Sequence, residues 1–207
     1  TRRGAYQRLR ATLTARPGDA NIARTAVTLP GSSFLAQENI RTLCTRVQFA
    51  AGACPEGSIY GTATAWTPLL KEPLVGNVYL RSSDNKLPDM VAALKGQFDV
   101  ELVGRIDSVK LGKRGGTGIR STFDVVPDAP VSKFVLNMFG GKRSLIVNSE
   151  NLCRTKRKRA VVRMSAQNGR TLNVKPKVKT SCRKGRKASR KGNKRRGGKG
   201  SARGKRR

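Results

Sequence analysis

The chain has 207 residues, with 44 Lys/Arg, 12 Asp/Glu and no histidine, for a net charge of +32. That length suffices for one or two domains with a buried core. The missing histidine excludes a Ser-His-Asp triad, a Cys-His dyad, His-ligated zinc and imidazole pH sensing, and no apolar run approaches the ~18 residues of a membrane-spanning helix.

In chain order, Leu9, Ala11, Leu13 and Ala15 alternate with polar residues, as on a half-buried strand. Pro17-Gly18-Asp19 breaks the chain as a turn, and a second strand runs over Ile22–Leu29, so the two form a hairpin. Ser32–Leu43 carries Phe34, Leu35, Gln37, Ile40 and Leu43 at rough helical spacing behind a serine start, which predicts one short helix near Ser33–Leu43. Strand patterns return at Ser58–Ala65, Leu74–Leu80 and Val100–Asp107. The glycine-rich Leu111–Gly118 leads to Ile119–Val126, expected as the antiparallel neighbour of Val100–Asp107. Phe134, Leu136 and Met138 alternate, Gly140-Gly141 turns the chain, and Ser144–Val147 follows. Ala160–Met164 and Thr171–Val178 flank Asn168-Gly169, a two-residue hairpin signal. Short strands punctuated by Gly and Pro, with no amphipathic helices between them, predict an all-β antiparallel sandwich.

Charge divides the chain. Residues 1–150 hold 20 Lys/Arg and all 12 acids, while residues 151–207 hold 24 Lys/Arg and no acid. Residues 183–207 contain 14 cations (Arg183, Lys184, Arg186, Lys187, Arg190, Lys191, Lys194, Arg195, Arg196, Lys199, Arg203, Lys205, Arg206 and Arg207) and two apolar residues, Ala188 and Ala202. Such a segment buries too little apolar surface to offset its ordering entropy. It reads as a disordered polybasic tail behind a body of residues 1–182, and its cations are the candidate polyanion-binding residues. A second basic stretch, Arg154–Lys179, belongs to the body. The tail has no aromatic residue, so it offers no stacking platform for bases. It also lacks the apolar face of a membrane-surface helix.

Cys44, Cys54, Cys153 and Cys182 allow three pairings. Local closure favours Cys44–Cys54 and Cys153–Cys182, the second bond fencing the last hairpin just before the tail. In the chain-entropy model, loops of these lengths stabilise by roughly 3 and 3.5 kcal/mol. Four reduced, buried thiols are the alternative. A Cys₄ zinc site is disfavoured because no Cys-x₂-Cys pair is present. Disulfides imply an oxidising compartment, and an opening on Thr1-Arg2-Arg3 without Met reads as a processed chain or a fragment of a longer one.

A set of phrases carries a resemblance. They include Val27-Thr28-Leu29-Pro30, Cys44-Thr45-Arg46, Cys54-Pro55, Thr67-Pro68-Leu69-Leu70, Val78-Tyr79-Leu80-Arg81-Ser82-Ser83, Gly104-Arg105-Ile106-Asp107, Val126-Pro127-Asp128-Ala129-Pro130 and Asn151-Leu152-Cys153. Together, over roughly Ala11 to Cys182, they are similar to an uncharacterised domain of large secreted actinobacterial proteins. The resemblance implies an extracellular address and no particular activity, and the tail lies outside it.

Candidate chemistry is thin. Asp99, Glu101 and Asp107 differ by even numbers and share a strand face, the pattern of a solvated face as much as of a carboxylate pair. Asp84 and Asp89 flank a loop but lack the Asp-x-Asp-x-Asp-Gly calcium pattern. Trp66, the one tryptophan, is expected in the core rather than as a carbohydrate platform. Pro127-Asp128-Ala129-Pro130 is expected as a rigid crossover between sheets. Leu111–Gly118 does not match the phosphate-cradling Gly-x-x-x-x-Gly-Lys-Ser/Thr loop. These residues predict a non-enzymatic binding or structural module without cofactor or metal, secreted or associated with the cell envelope. Its expected partners are cell-wall polymer, acidic polysaccharide or nucleic acid, and neighbouring domains of a longer chain. The alternative is an intracellular, non-specific nucleic-acid-binding protein, which the charge favours.

Overall fold

The computed structural model describes residues 1–112 and 116–182. Twelve strands dominate it: β1 (Leu9–Thr14), β2 (Ile22–Thr28), β3 (Ser33–Leu35), β4 (Ile59–Trp66), β5 (Leu74–Arg81), β6 (Asp89–Lys95), β7 (Val100–Lys110), β8 (Thr117–Phe123), β9 (Lys133–Met138), β10 (Ile146–Asn148), β11 (Val161–Ala166) and β12 (Thr171–Val174). Among the described residues the one α-helix is α1 (Arg46–Ala50). Ten strands form a single antiparallel sheet in the order β1-β9-β4-β5-β6-β7-β8-β2-β11-β12, and β3 pairs with β10 as a small ribbon.

The chain path forces this sheet to curl. β1 and β2 follow each other in sequence yet stand seven positions apart in the sheet. In a flat sheet about 34 Å would separate them. The eight residue steps from Thr14 to Ile22 reach only about 28 Å fully extended. The sheet folds over, and its two flanks face each other as the layers of a sandwich. Leu9, Phe134 and Met138 of one flank accordingly share a core with Ile106, Ile119 and Phe123 of the other. Leu35, Leu145 and Ile146 of the β3–β10 ribbon and its approach join the same cluster. Two crossovers run side by side where the flanks meet. Ala15–Asn21 links β1 to β2, and residues 124–132, with Pro127-Asp128-Ala129-Pro130, link β8 to β9. Asn21 Nδ2 donates to Asp128 Oδ1 at 2.8 Å and ties them together.

Most expected strands form, and β7 and β8 are antiparallel neighbours from Gly104↔Phe123 to Lys110↔Thr117. Several expectations are corrected. The β1–β2 hairpin does not form, although its turn does. Asp19 Oδ2 accepts from the Arg16 amide at 2.9 Å and Gly18 has φ +82°. β1 pairs instead with β9, where Leu9 and Leu13 meet Met138 and Phe134 on the core face; β2 lies between β8 and β11. The helix near Ser33–Leu43 is replaced by β3 and one 3₁₀ turn at Gln37–Asn39. Pairing of Phe34 with Val147 and of Leu35 with Ile146 overrides the local helical spacing. The helix lies later, at α1, where Thr45 and Gln48 form a reciprocal capping box. β6 was not expected, because Met90-Val91-Ala92-Ala93-Leu94 is a continuous apolar run without alternation. Buried centrally, it needs apolar residues on both faces. Trp66 is not in the core; it stands half-buried at the end of β4, with Lys133 Nζ 4.9 Å from its ring centre.

Candidate functional site

Both locally closed disulfides are present, Cys44–Cys54 with Cα atoms 5.1 Å apart and Cys153–Cys182 with Cα atoms 5.6 Å apart. The first closes the α1 loop over the outer face of the sheet. Cys44 exchanges backbone hydrogen bonds with Leu80 and Ser82. Phe49 stands edge-on to Tyr79, with ring centres 5.8 Å apart, and Arg81 lies over the Phe49 ring. Arg81 faces Asp89 at 3.7 Å with both side chains largely buried. This cluster explains why Val91, on the outward side of β6, is fully buried.

The second disulfide clamps the basic part of the body. It joins the loop after β10 to the strand end beyond β12, and the segment between is the β11–β12 ribbon. Antiparallel pairing runs from Val162↔Val174 to Ser165↔Thr171, and an isolated bridge joins Arg159 to Lys177. The turn holds three residues, Gln167-Asn168-Gly169, rather than the expected two. The Ala166 amide bonds to Arg170 O, and Gly169 takes φ +79°, the left-handed position such loops require.

Residue parity sorts this ribbon into two faces. Val162, Met164, Leu172 and Val174 continue the core-facing row that starts at Ile106 and passes through Ser121 and Val27. Arg159, Val161, Arg163, Asn173, Lys175 and Lys177 alternate with them and share the outer face. Arg159, Arg163, Lys175 and Lys177 are all exposed. Arg159 Nη1 donates to Lys175 O at 3.0 Å, which holds its guanidinium against β12. Among the described residues, the only ion pair made by the basic segment 154–179 is Arg157 with Glu150. Ser32 Oγ donates to Arg157 O at 2.7 Å and anchors the basic loop to the body. Two open grooves lie here. One, of about 370 Å³, is lined by Arg163, Asn173 and Lys175 among others; the second, of about 310 Å³, by Lys156, Lys158, Arg159 and Lys177 among others.

The acidic candidates disperse. Asp99 pairs with Lys95, Asp107 with Arg105 at 3.0 Å and Asp84 with Arg46 at 2.7 Å, while Asp89 serves Arg81. Glu101 and Asp107 do share the outer face of β7, but each partnered carboxylate is balanced by its own cation. Among the described residues no three His, Cys, Asp or Glu side chains converge as a metal site would require, and no helix is long and apolar enough to cross a membrane. The tail cations from Arg183 to Arg207 lie outside the described residues. Sequence reading located the basic stretch Arg154–Lys179 but missed its sorting onto one face, which follows only from the ribbon's register. No family model matches the chain, and neither the curated proteins nor the solved structures contain a match.

Proposed function

We propose that this protein is a secreted or cell-envelope β-sandwich module without catalytic activity, held electrostatically on anionic polymers or surfaces. The observation that carries the reading is the segregation of charge: the last 57 residues hold 24 cations and no acid. Cations clustered without counter-charges attract polyanions by releasing their condensed counterions. Two disulfides support an oxidising compartment, and the resemblance to secreted actinobacterial domains points the same way. Tail residues 183–207 supply sequence-independent attachment, because contacts from Lys and Arg to phosphates carry no base-sequence information.

The test compares the full chain with a chain ending at Cys182. Binding to duplex DNA, poly(glycerol phosphate) and anionic vesicles falls sharply on truncation. If the tail neutralises about 5–10 duplex phosphates, log K falls with log salt with a slope near −4.5 to −9. Equal binding with and without the tail refutes the attachment role. Strong base-sequence preference replaces it with a dedicated nucleic-acid reader using Arg154–Lys179.

A further inference from the structure

We infer that the outer face of the β11–β12 ribbon is a folded phosphate-reading platform for a linear phosphodiester polymer, distinct from the tail. The inference deepens the attachment reading and rests on it. Arg159 and Lys177 sit opposite each other at one end of the ribbon. Lys175 follows, and then Arg163, opposite Asn173. Side chains on one strand face recur every two residues, about 6.7 Å. The ribbon therefore presents a cationic position at each of three successive steps, spanning about 13 Å. A polymer with one phosphate per comparable step can engage all three without distortion.

Three features separate this platform from diffuse charge. Its spacing is set by the Arg163↔Asn173 pair of the ladder, by the Arg159↔Lys177 bridge and by the Cys153–Cys182 clamp, so binding orders little backbone. None of its four cations has a carboxylate partner among the described residues. Two small side chains, Ala26 and Thr122, stand in line with Arg163 on the next two strands. The ribbon carries no aromatic residue. Bases have nothing to stack on, and recognition runs through phosphates alone. A polyol-phosphate polymer therefore meets every contact the face offers.

The test uses two full-length variants of equal net charge. One carries Arg159→Gln, Arg163→Gln, Lys175→Gln and Lys177→Gln; the other carries Lys184→Gln, Lys187→Gln, Lys191→Gln and Lys194→Gln in the tail. Both are titrated with poly(glycerol phosphate) and with single-stranded oligothymidylate, after melting curves show each is folded. The platform variant loses at least 10-fold more affinity for poly(glycerol phosphate) than the tail variant, and its salt slope flattens by about 3. An Arg159→Lys/Arg163→Lys variant retains binding. Equal losses in the two glutamine variants overturn the platform and leave the tail reading standing. Loss confined to the platform variant upholds the platform and removes the tail. Markedly tighter binding of oligothymidylate than of poly(glycerol phosphate) overturns phosphate-only recognition.

Discussion

Tyr60 shows how one side chain holds two parts of the molecule. Its ring is buried in the core, and its hydroxyl donates to Asn39 O at 3.0 Å and accepts from the Arg41 amide at 3.3 Å. Tyr60→Phe removes both bonds, but the Arg41 amide keeps its 3.1 Å bond to Asn39 O, so the expected cost is that of an ordinary hydrogen bond, about 0.5–1.5 kcal/mol. A lower denaturation midpoint at unchanged m-value checks it. Gly76 is constrained more tightly. A Cβ there would stand 1.6 Å from Ala93 O on the neighbouring strand, a backbone atom that cannot swing aside. Gly76→Ala is expected to destabilise by more than ~3 kcal/mol or to prevent accumulation of folded protein; a wild-type melting curve would contradict this. The turn after β1 carries a pH signature. The Arg16 guanidinium, and then the Arg16 amide, hold the Asp19 carboxyl below the usual carboxylate range. A carboxyl depressed in the folded state stabilises above its unfolded pKa, and that contribution is lost as pH falls through the folded value. Arg16→Gln should raise the Asp19 titration midpoint observed by NMR. The stability effect is small, because the pair is exposed.

Strands were legible where they alternate and invisible where they do not. Val100–Asp107 announces a half-exposed strand through Glu101, Arg105 and Asp107. The buried β6 has no polar face to mark its period. Partnership was harder to read than existence: the turn at Pro17-Gly18-Asp19 reverses the chain, yet the strands beside it bond elsewhere because the better apolar partners are distant in sequence. The cysteines were legible because both loops close locally. The cation platform was not, since 159, 163, 175 and 177 share a face only through the ribbon's register. β12 is exposed along its whole length and gains little from burial, so the ribbon is held by the pairing of β11 with β2 and by the Cys153–Cys182 bond. Replacing both cysteines with serine should cost about 3.6 kcal/mol in the chain-entropy model. Hydrogen exchange should show β11 and β12 opening before β4–β7, which lie at the centre of the sheet. Uniform acceleration across all strands would show that the disulfide stabilises the molecule as a whole and does not pin one element.

At the scale of the whole molecule, the distribution of charge and the distribution of apolar residues divide the chain at nearly the same place. Tail residues 183–207 hold 14 of the 44 cations but only two small apolar side chains, a composition that adds repulsion and offers almost no apolar surface to bury. The body holds the rest, including all 12 acids, and remains strongly positive. Self-repulsion of that size opposes compaction and weakens as salt screens it. Raising ionic strength from about 0.02 M to about 0.3 M shortens the screening length from roughly 20 Å to roughly 6 Å. The melting temperature of the full chain is therefore expected to rise with salt. A chain ending at Cys182 should melt within about 2 °C of the full chain at high salt, because a ΔΔG of 1 kcal/mol moves a domain of this size by only about 2–4 °C. At low salt it should melt higher than the full chain, since it has lost repulsion and no core. A truncated chain that melts lower at both salt concentrations would mean that the tail packs on the body, and the two-part division of this molecule would then be wrong.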